Sequence, residues 1–268
     1  MMVQQTIEKL RAMRLRGMAE AYRQQLESAG AAALSFDERL ALLADQHAAW
    51  RDNNAMARRL KASQLDSEPC MEDVNYRHPR QLDAAQFRSL MNSEWVIQHH
   101  TVLITGPTGI GKSWLAQALA QKACRDGYRV LYRPARKLFR ELSLAQAGGS
   151  LSKLLPVLTK VDVLVVDDFA MHPLEEQDRR WFLEICDDRH RRRSTVLTSQ
   201  LPVSKWHGQI GDPTVADSIL DRLIHGAYRF ELPGESMRKQ ERGGSHDQAR
   251  AAGVEARHGV VRGRVGVR

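Results

Sequence analysis

Thr101-Val-Leu-Ile-Thr105 leads directly into Gly106-Pro-Thr-Gly-Ile-Gly111-Lys112-Ser113-Trp114, followed by a stretch carrying Leu115, Ala118, Leu119 and Lys122. The apolar run predicts a strand and the spacing after it predicts a helix, so Gly-x-x-x-x-Gly-Lys-Ser is the loop between them. Glycines at these positions let backbone N–H groups turn inward, and the helix N-terminus adds positive potential, which together make a cradle for phosphates. Lys112 is expected against the β- and γ-phosphates and the Ser113 hydroxyl on Mg²⁺. The expected nucleotide-contacting segment is therefore Gly106, Pro107, Thr108, Gly109, Ile110, Gly111, Lys112, Ser113 and Trp114, with ATP and Mg²⁺ as ligands.

Downstream, the apolar run Val161–Val166 reads as a strand covered on both faces and ends in Asp167-Asp168. Carboxylates at the C-terminal end of a parallel strand face the crevice where ligands sit. Asp167 is the expected partner of Mg²⁺, direct or through its shell, and Asp168 is the group expected to orient or deprotonate an attacking water. A third strand, Thr195–Ser199, ends in Thr198-Ser199-Gln200, whose polar groups could reach the γ-phosphate. Asp212 and Pro213 then open a helix with the apolar stripe Val215, Ile219, Leu220 and Leu223. Arg222 lies at the rim of that stripe with no acidic residue three or four positions away, which leaves it available to a phosphate held by another subunit. With strands also at Thr101–Thr105, Tyr128–Tyr132 and Tyr228–Leu232, and helices near 113–125, 135–146, 175–190 and 213–224, the pattern is α/β: a parallel sheet with helices on both faces.

Upstream, residues 1–68 read as a small all-α domain. Leu15, Met18, Tyr22 and Leu26 recur at helical spacing, a Gly-Ala break covers 29–33, and Ser35 with Glu38 forms a capping box. Leu40, Leu43, His47 and Trp50 are expected along one face of the next helix, and Asp83 is expected to cap a short helix carrying Phe87, Leu90 and Met91. Residues 69–238 form the nucleotide-binding domain, and 239–268 read as a basic, Gly-rich disordered tail. The net charge of +8 points to a polyanionic partner, but residues 238–268, with eight basic residues against three acidic ones, hold five of those charges. No apolar run approaches the length needed to cross a membrane, and three scattered cysteines, Cys70, Cys124 and Cys186, suit a reduced, cytoplasmic setting. Arg133, Arg136, Lys137 and Arg140, beside or on one helix, are the candidate DNA contacts. Arg189 and Arg191–Arg193 read as a solvated run before a strand, while Arg51, Arg58, Arg59 and Lys61 are further candidates.

The loop, Val166-Asp167-Asp168-Phe169, Thr198-Ser199-Gln200-Leu201-Pro202, and the string from Trp206-His207 through Gly211-Asp212-Pro213-Thr214 to Ile219-Leu220-Asp221-Arg222-Leu223 resemble the IstB family. These are helper ATPases of bacterial insertion sequences, related to the replicative helicase loader DnaC. The resemblance spans residues 5–239, and its last two strings are more specific than the generic phosphate loop. It implies an AAA+ fold with strand order 5-1-4-3-2, self-assembly into an ATP-dependent ring or spiral on duplex DNA, and a partner transposase of the IstA kind. It also places Lys112 and Ser113 in the first nucleotide motif and Asp167 and Asp168 in the second, with Thr198 to Gln200 on the sensor strand and Arg222 as the arginine finger. Arg238 is similar to a sensor-two arginine, although no lid is recognisable to carry it. A DnaC-like helicase loader is the alternative with the same core, and a small-molecule phosphotransferase is disfavoured by the missing lid.

Overall fold

The computed structural model describes residues 2–67, 69–234 and 236. Arg238 and the tail from 239 to 268 lie outside the described residues. The chain divides into one unit up to Ala62 and another from Ser63 onward.

The first unit holds α1 (Met2–Ala12), α2 (Arg16–Glu27), a 3₁₀ turn over Ala29–Ala33 and all but the last residue of α3 (Phe36–Ser63). The capping box forms at the start of α3: Glu38 N–H donates to Ser35 Oγ at 3.3 Å, and Ser35 N–H donates back to Glu38 Oε2 at 2.8 Å. The packing departs from the expected large-residue stripes. Leu26, Leu40 and Trp50 remain 46, 44 and 36% exposed, while Ile7, Gly17, Ala19 and Ala21 are buried. Small residues let the helix backbones approach closely, so the larger side chains splay to the flanks. A Cβ built on Gly17 would stand 2.6 Å from Trp50 Cβ and 3.0 Å from His47 Cα.

In the second unit, Asp83 caps α4 (Ala84–Ser89) by accepting from Gln86 N–H at 2.9 Å, and the one-turn α5 (Glu94–Ile97) leads to β1 (Val102–Thr105). There follow α6 (Lys112–Arg125), β2 (Val130–Pro134), α7 (Ala135–Ala147), α8 (Leu151–Lys160) and β3 (Val163–Asp167). Next come α9 (Glu176–Arg189), β4 (Ser194–Ser199), α10 (Trp206–Ile210), α11 (Pro213–Ile224) and β5 (Tyr228–Glu231). All pairings are parallel and the order is β2-β3-β4-β1-β5, the expected 5-1-4-3-2 arrangement. Alternate sheet residues Leu103, Leu131, Leu164, Val166 and Leu197 pack with α7 to α11 in one apolar cluster. Their neighbours Val102, Ile104, Val163, Val165 and Val196 are equally buried and face the opposite side, where α6 lies.

Three elements were not anticipated, the one-turn α5 among them. α8 contains Pro156, a residue that removes a helical N–H and reads in sequence as a breaker. Its apolar residues Leu151, Leu154, Leu155 and Leu158 pack on the main cluster and outweigh that loss. α10 is a single turn, too short for periodicity to show. β2 begins two residues later than expected, because Gly127 at φ +103° and the bond from Tyr128 N–H to Ala123 O keep the chain in the turn that ends α6. Among the described residues no helix is long and apolar enough to cross a membrane.

The close seating of Gly17 yields a test. Gly17→Ala should destabilise the helical unit by about 1–3 kcal/mol through overpacking. Ellipticity would be read on melting, and ADP affinity should stay at the wild-type value because the expected nucleotide-contacting segment, residues 106–114, belongs to the other unit.

Candidate functional site

The sheet's C-terminal edge carries the site. Thr105 pairs with Ser199, so β1 and β4 end level, and Gly106 N–H donates to Ser199 O at 3.1 Å as the chain turns away. Beyond that edge is a cavity of about 490 Å³ lined by Thr108, Gly109, Gly111, Lys112, Ser113 and Trp114 from the loop and α6, with Asp168 and Gln200 opposite. Asp73, Asn75 and Arg80 complete it from the segment preceding α4. The chain leaving β5 closes over the loop from outside. A Cβ on Gly106, at φ +149°, would stand 2.3 Å from Leu232 O, and one on Gly234 would stand 3.0 Å from Pro79 O.

Lys112 is 5% exposed and donates from Nζ to Pro107 O at 3.0 Å. Burial lowers its pKa, against the opposing attraction of Asp168 and Asp167. The ammonium is thus held within the loop, at the wall of the cavity that Lys112 helps to line.

The two aspartates have distinct environments. Asp167 is 4% exposed; Tyr132 Oη donates to its Oδ2 at 2.7 Å and the Thr198 hydroxyl donates to its Oδ1. Asp168 opens to the cavity in the left-handed region at φ +56°, with its N–H donating to Thr198 Oγ1 at 2.9 Å. Partial burial and then the neighbouring Asp167 raise the Asp168 pKa, while Lys112 and Gln200 work to lower it. A carboxyl group raised in this way takes up a proton more readily than a free aspartate does.

The expected segment is only partly presented to the cavity. Gly106, Pro107 and Ile110 shape the loop without lining the space, and Ile110 is fully buried. Thr198, expected to reach a phosphate, is 0% exposed and instead braces both aspartates. Gln200 does line the cavity, and its Oε1 accepts from Thr108 Oγ1 at 2.7 Å. Tyr132, Asp73, Asn75 and Arg80 were missed; they come from a separate strand and from a segment outside any motif.

Arg222 does not line this cavity. It lies by the opposite end of the sheet, on a separate cavity of about 300 Å³ that also includes His99, His100, His190, Arg191 and His225. The expectation that it lacks an acidic partner holds only along its own helix. Asp187 of α9 makes an ion pair with it, and its Nη1 donates to Ser218 O at 2.7 Å.

Two expectations about basic residues are corrected. Arg133 is 7% exposed, with Nε on Glu141 Oε2 at 2.9 Å and Nη1 on Tyr132 O at 2.8 Å, so it is no surface contact. Arg136, Lys137 and Arg140 are exposed on α7, whose other face buries Leu138, Phe139 and Leu142. Arg189 is not part of a solvated run: it is 2% exposed and donates to Thr195 Oγ1, Leu158 O and Val161 O at 3.0, 2.9 and 2.8 Å.

A parallel five-stranded sheet in this order, with a phosphate loop after β1 and paired aspartates after β3, defines an ATP-binding P-loop protein of the AAA+ class. Residues 8–245 match the model of the family described as IstB-like ATP binding protein, and the chain belongs to that family. It is 46% identical over 242 residues to an insertion sequence ATP-binding protein of Sinorhizobium fredii, covering 90% of this chain and 99% of the relative. It is 30% identical over 217 residues to the ATP-binding protein of insertion sequence IS21 from Pseudomonas aeruginosa, covering 81% and 82%. In fold it is similar to DnaI (TM-score 0.54, 21% identity, 61% of this chain and 90% of that one). It is also similar to the replication initiator DnaA bound to AMPPCP and single-stranded DNA (TM-score 0.54, 20% identity, 64% and 52%).

Asp168 supplies a test that needs no turnover. Its raised pKa means that the folded state favours the protonated form, so this group's contribution to stability is lost as pH rises through the folded pKa. Asparagine imitates the protonated form and tolerates a left-handed φ. Asp168→Asn should therefore raise the melting temperature of the nucleotide-free protein at pH 7.5. The gain over wild type should shrink as the pH is lowered.

Proposed function

We propose that this chain is an Mg²⁺-dependent ATPase that assembles on duplex DNA and assists a transposase in transposition. What carries the reading is the convergence of Lys112, Ser113, Asp168 and Gln200 on one cavity, in a chain whose family is that of insertion-sequence ATP-binding proteins. The likeness to DnaI and DnaA speaks for fold alone, so it does not favour a helicase loader.

The residues fit a nucleotide with its cation. The Ser113 hydroxyl lines the cavity, and Asp167, although it accepts two hydroxyls, keeps a further lone pair on each oxygen. Ser113 and Asp167 would hold Mg²⁺, which neutralises charge on the phosphates when bound. Lys112 then leaves Pro107 O for the β- and γ-phosphates. Asp168 holds the attacking water and takes its proton, and Gln200 bonds to the γ-phosphate end. Tyr132 and Thr198 keep Asp167 from rotating.

Arg222, remote from the cavity of its own chain, is assigned to the nucleotide of a neighbouring copy, which makes the hydrolytic unit an interface in a ring or spiral. Such an arginine contributes on the order of a thousandfold in rate. Its pairing with Asp187 keeps the guanidinium compensated until a phosphate replaces the carboxylate.

Turnover by Lys112→Ala and by Arg222→Ala should each fall to near background. The first should lose ATP binding and the second should keep it. Mixing the two proteins on duplex DNA should restore part of the activity, because some interfaces then join an intact loop to an intact arginine. Full activity of Arg222→Ala alone, or no recovery on mixing, would sink the shared site.

Duplex contact is assigned to Arg136, Lys137 and Arg140, exposed together on α7. Replacing all three with alanine should weaken binding evenly across DNA sequences. The slope of log affinity against log salt concentration should drop by roughly 2–3, as expected for three lost phosphate contacts. An unchanged slope, measured by anisotropy over a salt series, would move the contact elsewhere. The same assay read with an IstA-like transposase present tests the partner: complex formation should require ATP and duplex together.

A further inference from the structure

We propose that Arg80 is a positioning residue for the phosphate loop, fixing the orientation of the Gly111 amide on which a nucleotide's phosphates rest. Arg80 is 2% exposed yet forms part of the wall of the nucleotide cavity. Its Nη1 donates to Ile110 O at 3.1 Å and its Nη2 to Asn75 O at 3.2 Å, so one planar guanidinium ties the segment before α4 to the loop itself.

The Ile110 carbonyl belongs to the peptide unit that carries the Gly111 N–H. In a trans peptide the C=O and N–H lie in one plane and point in opposite directions. Holding Ile110 O against Arg80 therefore dictates where Gly111 N–H points. Gly111 lines the cavity and caps α6 at φ +93°. A glycine lacks the Cβ that would resist rotation of this peptide, and a flipped unit would turn a carbonyl oxygen toward the phosphates in place of an N–H. Arg80 opposes that flip.

Arginine suits the task better than lysine. Its donors are set in a rigid fork that can meet two carbonyls at once, whereas an ammonium is a single rotatable point. The guanidinium also keeps its charge at neutral pH, which adds a fixed positive potential behind the loop. Nothing in the spacing of the sequence signals this role, because the residue lies 26 positions before Gly106, outside any motif.

The inference rests on ATP binding at this cavity and is independent of hydrolysis, DNA and oligomerisation. It is tested in the full chain by titrating ADP and, in competition with it, AMP against wild type, Arg80→Gln, Arg80→Lys and Lys112→Ala. The loop amides serve the phosphate beyond the first, so Arg80→Gln should weaken ADP by about tenfold or more. Arg80→Lys should lose less, and AMP should change by less than about twofold in both variants. Unchanged ADP affinity in a folded Arg80→Gln protein overturns the proposal. Equal losses for ADP and AMP overturn it too, since they report general damage to the cavity, and so does failure of both variants to fold, which would make Arg80 a fold residue. Wild-type ADP affinity in Lys112→Ala would instead remove the nucleotide-site reading on which it rests, a result distinct from any of these.

Discussion

Parallel pairing of β1 between β4 and β5 puts Thr105 beside Ser199 on one side and Glu231 on the other. Because all strands run the same way, every chain leaving the sheet does so at the same edge, and the loop, the aspartates and Gln200 meet there without any one element spanning the site. Strand ends that are level to within a residue also allow direct cross-links, such as Gly106 N–H to Ser199 O and Phe169 N–H to Thr198 O. These bonds set the depth of the cavity. The side chains that line it inherit their positions from backbone hydrogen bonds, the least adjustable contacts in the protein.

The sheet and its order were legible because buried parallel strands are short continuous apolar runs, and the loop after β1 has a fixed spacing. Asp212 and Asp83 were legible as caps because a cap is a local hydrogen bond, and both accept from the N–H three residues on. What could not be read is whatever depends on partners distant in sequence. Thr198 looked like a phosphate ligand but spends its hydroxyl on Asp167, 31 residues away. Arg222 looked unpaired because Asp187 belongs to another helix. The stripes of α2 and α3 misled for a related reason: hydrophobic periodicity marks a face, while the small residues Gly17, Ala19 and Ala21 decide how closely two faces approach.

Three arginines that sequence alone leaves on the surface, or unremarked, turn out to be internal braces. Arg189 gathers carbonyls from the end of α8 and the start of β4, Arg133 ties β2 to Glu141, and Arg80 ties the loop to the segment before α4. An arginine can serve this way because its five donors satisfy several carbonyls at once, which offsets the cost of burying its charge. Net charge is accordingly a poor guide to how much basic surface the described residues present. The basic residues that remain accessible together on α7 are fewer than the composition suggests.

The chain that follows β5 returns across the phosphate loop, with Leu232 O against Gly106 and Gly234 against Pro79 O. β5 is also the strand that shields the outer edge of β1. Ribosomal synthesis delivers these residues after every other part of the sheet. A growing chain therefore carries its complete nucleotide motif for more than a hundred residues before the backbone that clamps that motif exists. The surroundings of the loop are therefore completed only when the last strand of the sheet and the residues just after it have been made.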